Sequence, residues 1–307
     1  MSDSRPTDVQ ASAHMMVPHA MSLPTLRGYL KLLRPAQWLK NLMIFFPPFL
    51  GGTFFLAVIR PTALIPFLSF CLASSATYIL NDLLDMENDR NHPEKRCRPL
   101  PSGRISPLSA RVLAFTLAVA AIAVAWRVSL PFLSFLLLYG AVSSAYSIKL
   151  KEYALVDIFC ISAGFLLRLE AGGAAFGVTI SEWLFLSVFL LAVFLSTGKR
   201  LSEKNRLGET AASHRRALVA YPEGFLDGTM YMTGGAVLVT YTLYVISRHS
   251  ALLLYTVPLC CFGLLRYILR VQSGKGGDPT ESLLRDMQLF IVGLVWAVMV
   301  GWGVYAP

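Results

Sequence analysis

The chain has 307 residues, 55% of them hydrophobic and 15% charged, and a mean hydropathy of +0.57. Soluble domains carry roughly 25% charged residues, so this composition excludes a soluble globular domain and specifies an all-α, polytopic membrane protein. The net charge of +9 does not call for nucleic acid, because Lys and Arg accumulate in the cytoplasmic loops of membrane proteins whatever those proteins do.

Residues 1–21 are polar and rich in small side chains, without the charged-then-apolar order of a signal peptide, and are expected to form a disordered tail. Residues 22–40, SLPTLRGYLKLLRPAQWLK, place Leu26, Leu30 and Leu33 on one helical face with Arg27, Lys31 and Arg34 beside them. That pattern suits a helix lying in the membrane interface, broken by Pro35. Membrane spans are expected at about 41–59, 62–81, 108–126, 130–147, 154–172, 182–198, 229–247, 250–269 and 287–305, each near the roughly 20 residues needed to cross hydrocarbon. Nine spans put the N-terminus and the even-to-odd loops on one side. Of the 27 Lys and Arg, Arg60, Arg127 and Arg248 fall on the other side, Arg168 lies inside the fifth span, and the remaining 23 share the side of the N-terminus. That side is therefore expected to be cytoplasmic. The five cysteines show no CxxC or Cys/His metal spacing and predict no disulfide framework.

The second span ends in NDLLDMENDR, where Asp82, Asp85 and Asp89 stand at i, i+3 and i+7. On a helix this spacing brings them to one face. Three clustered carboxylates repel one another unless a cation lies among them, and a hard divalent ion with oxygen ligands is the natural candidate. The alternative is a solvated helix end that carries acids by chance. Asn81 and the basic loop that follows, NHPEKRCRPLPSGR with Arg96, Arg98 and Arg104, agree better with a phosphate and metal site. The fourth span runs out in AYSIKLKEYALVD, with Tyr146, Lys149 and Lys151 at the surface. The fifth carries Asp157, Arg168 and Glu170 in apolar surroundings. Ionisable groups inside a span are costly and are functional candidates by default; the alternatives are an Arg168–Asp157 or Arg168–Glu170 pair, or snorkelling of Arg168. Lys199 and Arg200 end the sixth span, and the last cytoplasmic loop, SGKGGDPTESLLRD, is glycine-rich, with Asp278 placed to cap the next helix. A transporter keeps its polar residues near the bilayer midplane. Here acids and cations gather at cytoplasmic ends, which favours a metal-dependent transferase over a transporter or a lipid-binding scaffold.

NDLLDMENDR followed by KRCRPLPSGRIS resembles the signature of the UbiA-type intramembrane prenyltransferase superfamily. RPAQWLKN, YSIKLKEYALVD, GFLLRLEAGG, ISEW and GKRLSE resemble its decaprenyl-phosphate phosphoribosyltransferase branch. The resemblance covers about residues 27–290. It implies a nine-helix bundle over residues 22–307 in the bacterial cytoplasmic membrane, with its site facing the cytoplasm and a homo-oligomer possible. It also implies Mg²⁺ and a pyrophosphate on Asp82, Asp85 and Asp89. Superfamily members that use prenyl pyrophosphates carry a second DxxxD motif after the sixth span; residues 199–228 contain none, and GKRLSEKNR stands there instead. Phosphoribosyl pyrophosphate has a 5-phosphate as well as a pyrophosphate and calls for extra cations, so Lys199 and Arg200 fit a ribosyl donor. The implied reaction moves 5-phosphoribose to a polyprenyl (decaprenyl-like) phosphate; the alternative is prenyl transfer from a prenyl pyrophosphate to an aromatic acceptor. Lys40, Asn41, Asn81, Arg98, Tyr146, Lys149, Lys151, Asp157, Arg168, Lys199 and Arg200 are the candidate substrate contacts.

Overall fold

Serine, aspartate and proline punctuate the helices. Ser106, Ser129, Asp278 and Asp286 each cap a helix by accepting from a backbone N–H two or three residues on, and Pro107, Pro131 and Pro279 stand in the first turns of the first three. The computed structural model describes residues 26–91, 95–207 and 216–306. The expected N-terminal tail lies outside these residues, as does much of the loop after the sixth span.

In chain order the α-helices are α1 (Leu26–Leu33), α2 (Phe46–Leu50), α3 (Phe54–Val58), α4 (Ile65–Leu84), α5 (Met86–Arg90), α6 (Pro107–Trp126), α7 (Leu130–Ile148), α8 (Val156–Phe176), α9 (Glu182–Leu207), α10 (Arg216–Val219), α11 (Phe225–Ser247), α12 (Ala251–Leu254), α13 (Thr256–Gln272), α14 (Pro279–Arg285) and α15 (Met287–Tyr305). No strand occurs among the described residues. Among the described residues, eight helical segments are long and apolar enough to cross a membrane: α4, α6, α7, α8, α9, α11, the joined α12–α13, and α15. The stretch expected to make the first crossing is instead a 3-10 helix, Pro35–Phe45, followed by the short α2 and α3. Pro47, Pro48, Gly51 and Gly52 account for the break.

Neighbouring helices pack in two halves: α4 with α6 and α7, α7 with α8, then α8 with α9, α9 with α11, and α13 with α15. Phe70, Phe132 and Tyr139 centre the first half, and Phe194 and Tyr267 the second. One close approach matters for the site. A Cβ on Gly172 of α8 would lie 2.2 Å from the Ile44 carbonyl oxygen, so only glycine lets the 3-10 helix lie against α8. That contact brings Asn41 to Arg168.

Candidate active site

The polar residues converge at one end of the bundle, where the C-termini of α4, α7, α9 and α13 meet the loops that follow them. Helix α4 does not continue through the aspartate motif. It stops at Leu84, and the chain turns at Asp85 before α5 begins. Asp82 and Asp89 are buried together, while Asp85 faces a different partner. Nη1 of Arg98 lies 2.7 Å from Asp89 and 3.3 Å from Asp82, so one cationic nitrogen bridges both carboxylates. Arg34 pairs with Asp82, and Lys95 approaches Asp89 at 3.8 Å. Asp85 instead takes Lys151 at 2.5 Å and the Asn81 amide at 3.1 Å. The three acids expected on one helical face thus divide into a buried pair and an outlier. Among the described residues, no three His, Cys, Asp or Glu side chains stand close enough, as they lie, to enclose a metal ion.

A second group lies across Tyr78, whose ring carries the Arg34 guanidinium at 5.2 Å. Lys199 pairs with Asp278 at 3.1 Å, and Lys40 lies within electrostatic range of Lys199, Asp278, Arg168 and Arg34. Lys40 makes no hydrogen bond or ion pair to any described residue. Burial, reinforced by the Lys199 charge, lowers its pKa to about 7, although Asp278 opposes the shift. Burial alone would raise the Asp278 carboxyl, but Lys199 and Lys40 outweigh it and hold Asp278 below the usual carboxylate range.

The glycine-rich loop is a packing device here. A Cβ on Gly277 would meet the Gly198 carbonyl oxygen at 2.5 Å, and the Tyr267 hydroxyl donates to the Gly277 carbonyl at 2.7 Å. The loop is thereby pressed onto α9, and Asp278 is delivered to Lys199.

Arg168 neither snorkels nor pairs with Asp157 or Glu170. It is only 4% exposed and is held by neutral acceptors: Asn41 Oδ1 at 2.8 Å, the Gly164 carbonyl at 2.7 Å and the Tyr139 hydroxyl at 3.0 Å. The Tyr139 ring adds a cation–π contact at 4.5 Å. The result is a buried positive charge with no carboxylate beside it among the described residues, an arrangement that favours an incoming anion.

Arg200, also a candidate phosphate contact, differs in that the fold already pairs it. It is 1% exposed, and its nitrogens are spent on Asp157 at 2.5 Å, Glu203 at 2.6 Å and the Tyr146 hydroxyl at 3.1 Å. Asp157 and Tyr146 are therefore structural partners of Arg200 in this arrangement. The Tyr221 hydroxyl donates to Asp157 at 2.7 Å and accepts the Leu155 N–H at 2.7 Å. Burial and the Asp157 carboxylate push the Tyr221 phenol above its ordinary range. This network ties α8, α9 and the segment before α11 into one base. Lys149 stands apart from it, largely exposed, with Glu152 at 3.9 Å.

Sequence reasoning did not single out Arg34, Asp278, Tyr78 or Tyr139 as site residues. Arg34 carried one signal: it opens the quoted RPAQWLKN motif at the break before Pro35.

Fold and site together define a multi-span membrane protein with a cluster of charged side chains, cations around carboxylates, at one end of its bundle. The chain belongs to the UbiA prenyltransferase family, whose model matches residues 45–294. It is 34% identical to the decaprenyl-phosphate phosphoribosyltransferase of Mycolicibacterium smegmatis, over 91% of this chain and 92% of that one. It is also 34% identical to the protein of the same name from Corynebacterium glutamicum, over 91% and 87%. A solved UbiA homologue from Archaeoglobus fulgidus, bound to GPP and Mg²⁺, has the same fold: TM-score 0.71 at 21% identity, covering 91% of this chain and all of that one. The chain is thus a membrane-embedded enzyme of a transferase family.

Proposed function

We propose that the protein transfers 5-phosphoribose from phosphoribosyl pyrophosphate to a polyprenyl phosphate and releases pyrophosphate. The observation that carries this reading is the division of the charged side chains into two neighbouring groups. In one the Asp82–Asp89 pair is already bridged by a cation, and in the other Lys40, Lys199 and Arg168 outnumber their single acid, Asp278. A donor with a phosphate group at each end matches that distribution. A prenyl pyrophosphate has one charged end and leaves the second set of cations without an anion.

Asp82 and Asp89 supply hard oxygens that converge on one positive atom, which is the donor chemistry Mg²⁺ takes; Asp85 would join them as Lys151 turns to the substrate. When bound, Mg²⁺ neutralises charge on the departing pyrophosphate. Arg34 and Arg98 approach the same leaving group from the chain itself and stabilise the negative charge that grows on it. The sugar C1–O bond to pyrophosphate breaks with its electron pair leaving on the pyrophosphate oxygen. A phosphate oxygen of the lipid forms the new bond to C1. The lipid phosphate arrives deprotonated, so no protein base is needed. Lys40, Lys199 and Arg168 hold the 5-phosphate, and Asn81 fixes Asp85.

Counted with the stretch 41–59, the bundle makes nine crossings, residues 22–307 form one catalytic domain, and the charged cluster faces the cytoplasm, where a soluble sugar phosphate is available. Offering purified protein and Mg²⁺ phosphoribosyl pyrophosphate with a polyprenyl phosphate, against a prenyl pyrophosphate with an aromatic acceptor, tests the reading. Pyrophosphate release from the ribosyl donor alone is expected; release from the prenyl donor alone overturns it.

A further inference from the structure

A separate cluster of cations lies away from the aspartate motif, where α13 ends and α15 begins. Arg266, Leu269, Arg270, Ser273, Lys275 and Asp286 line an open pocket of about 80 Å³ there. That is the space of two to three waters at about 30 Å³ each, which one phosphate group fills. Asp286 is the one acid of the lining and is already engaged. It caps α15 by accepting the Leu289 N–H at 3.2 Å, takes Nε and Nη2 of Arg266 at 3.2 and 3.0 Å, and takes Nη1 of Arg270 at 3.4 Å. The exposed Lys275 side chain has no hydrogen bond or ion pair among the described residues. Three cations facing one carboxylate leave the pocket a net charge of +2.

The fold holds these cations together before anything binds. Arg270 is 9% exposed, and its Nε donates to the Ser282 hydroxyl of α14 at 3.2 Å. The Lys275 N–H donates to the Arg270 carbonyl at 3.2 Å. Two residues on, Gly277 is pressed onto α9 and fixed by Tyr267. A surplus of positive charge on fixed walls favours an incoming anion.

The surface beside the pocket indicates which anion. Leu269 belongs to the lining and is exposed, and Leu265 and Phe262 continue its face along α13 at i−4 and i−7. From the other edge, Met287, Ile291 and Leu294 form a second exposed stripe on α15 at i, i+4 and i+7. Both helices are long and apolar enough to cross a membrane, so both stripes face hydrocarbon. Two lipid-facing stripes thus meet at one phosphate-sized basic pocket, the arrangement that takes a lipid head group. A choline or ethanolamine head group would bring an ammonium against three cations. We propose that this pocket binds the phosphate of an anionic two-chained phospholipid, with Arg266, Arg270 and Lys275 as its contacts and the acyl chains lying along α13 and α15.

Native mass spectrometry of the delipidated full chain in uncharged detergent tests this, with phosphatidylglycerol, phosphatidylcholine, a polyprenyl phosphate and inorganic phosphate as probes. Wild type is expected to hold one phosphatidylglycerol with a Kd about fivefold or more below that for phosphatidylcholine. Lys275→Glu and Arg266→Gln should each weaken phosphatidylglycerol about fivefold or more, the contribution of one basic residue near an anionic lipid, and leave phosphatidylcholine unchanged. Lys275→Arg should keep wild-type affinity. Elution volume and thermal melting report folding; should Arg266→Gln melt early, Lys275→Glu on the exposed loop still decides. Equal affinity for the two phospholipids, or variants that hold phosphatidylglycerol as wild type does, overturns the proposal. Displacement of phosphatidylglycerol by inorganic phosphate makes this a site for free anions, and preferential capture of the polyprenyl phosphate makes it a second acceptor site; either result also overturns it. Binding is read without turnover, so this result and the phosphoribosyl-transfer reading stand or fall separately.

Discussion

Lys40 gives the charged cluster a measurable pH signature. Its ammonium is buried among Lys199, Arg168 and Arg34, with Asp278 the one facing acid, and its pKa falls to about 7. A depressed lysine pKa means that the resting fold favours the neutral amine. The protein alone therefore gains stability from this group as pH rises from 7 towards the ordinary lysine value. Donor binding has the opposite sign, because an anion needs the ammonium. If only the protonated form binds the donor phosphate, KM carries the factor 1 + 10^(pH−7), which is about 2 at pH 7, about 11 at pH 8 and about 100 at pH 9 relative to the acid limit. The donor's own terminal phosphate has lost its second proton above about pH 6 and stays constant over that range. Lys40→Arg keeps its charge throughout. Steady-state KM for the donor, measured from pH 6.5 to 9 in wild type and Lys40→Arg, should rise about fivefold from pH 7 to 8 and about ninefold from pH 8 to 9 in the first and stay flat in the second. Parallel profiles would refute the argument that Lys40 meets the donor anion.

Asp82→Asn and Asp89→Asn should each lower kcat by about 100-fold or more with melting temperature preserved, since each removes charge from the leaving-group site; near-normal turnover in either rejects that role. The two buried arginines should respond in opposite ways. Arg200→Met leaves Asp157 buried without its cation and should cost about 3–5 kcal/mol in thermal or denaturant unfolding. Arg168→Met removes an uncompensated charge, so stability should hold or rise while donor KM climbs at least tenfold. Asp278→Asn keeps a good helix cap but loses the charge facing Lys199; donor KM should change with little loss of stability, whereas Asp278→Ala should lose about 1 kcal/mol in addition. Gly172→Ala places a methyl 2.2 Å from the Ile44 carbonyl and should cost about 1–3 kcal/mol and raise donor KM as Asn41 leaves Arg168.

Apolar segment length made the eight long helices readable, because that signal is local; the span at 287–305 matches α15 to the residue. The broken entry segment was harder to read. Its composition is apolar enough for a span, but Pro47, Pro48 and the glycine pair prevent one continuous helix. The aspartate motif was legible as a charge cluster, whereas its division into a buried pair and an outlier depends on the turn at Asp85, which periodicity does not report. Asp278 was readable as a cap but not as a site residue, since its pairing with Lys199 spans 79 positions.

Arg168 and Arg200 mark the limit of reading charge from sequence. Both are buried arginines about two turns inside their helices, in apolar context, and each was a candidate substrate contact. What separates them is only whether a carboxylate arrives from elsewhere: Asp157, 43 residues from Arg200, supplies one, and no described acid reaches Arg168. A buried guanidinium that already has its anion holds helices together. One that has only amide, carbonyl and phenol oxygens keeps its field available to a ligand. The cluster's capacity for a second phosphate therefore rests less on how many cations the sequence places there than on which of them the fold leaves without a counterion.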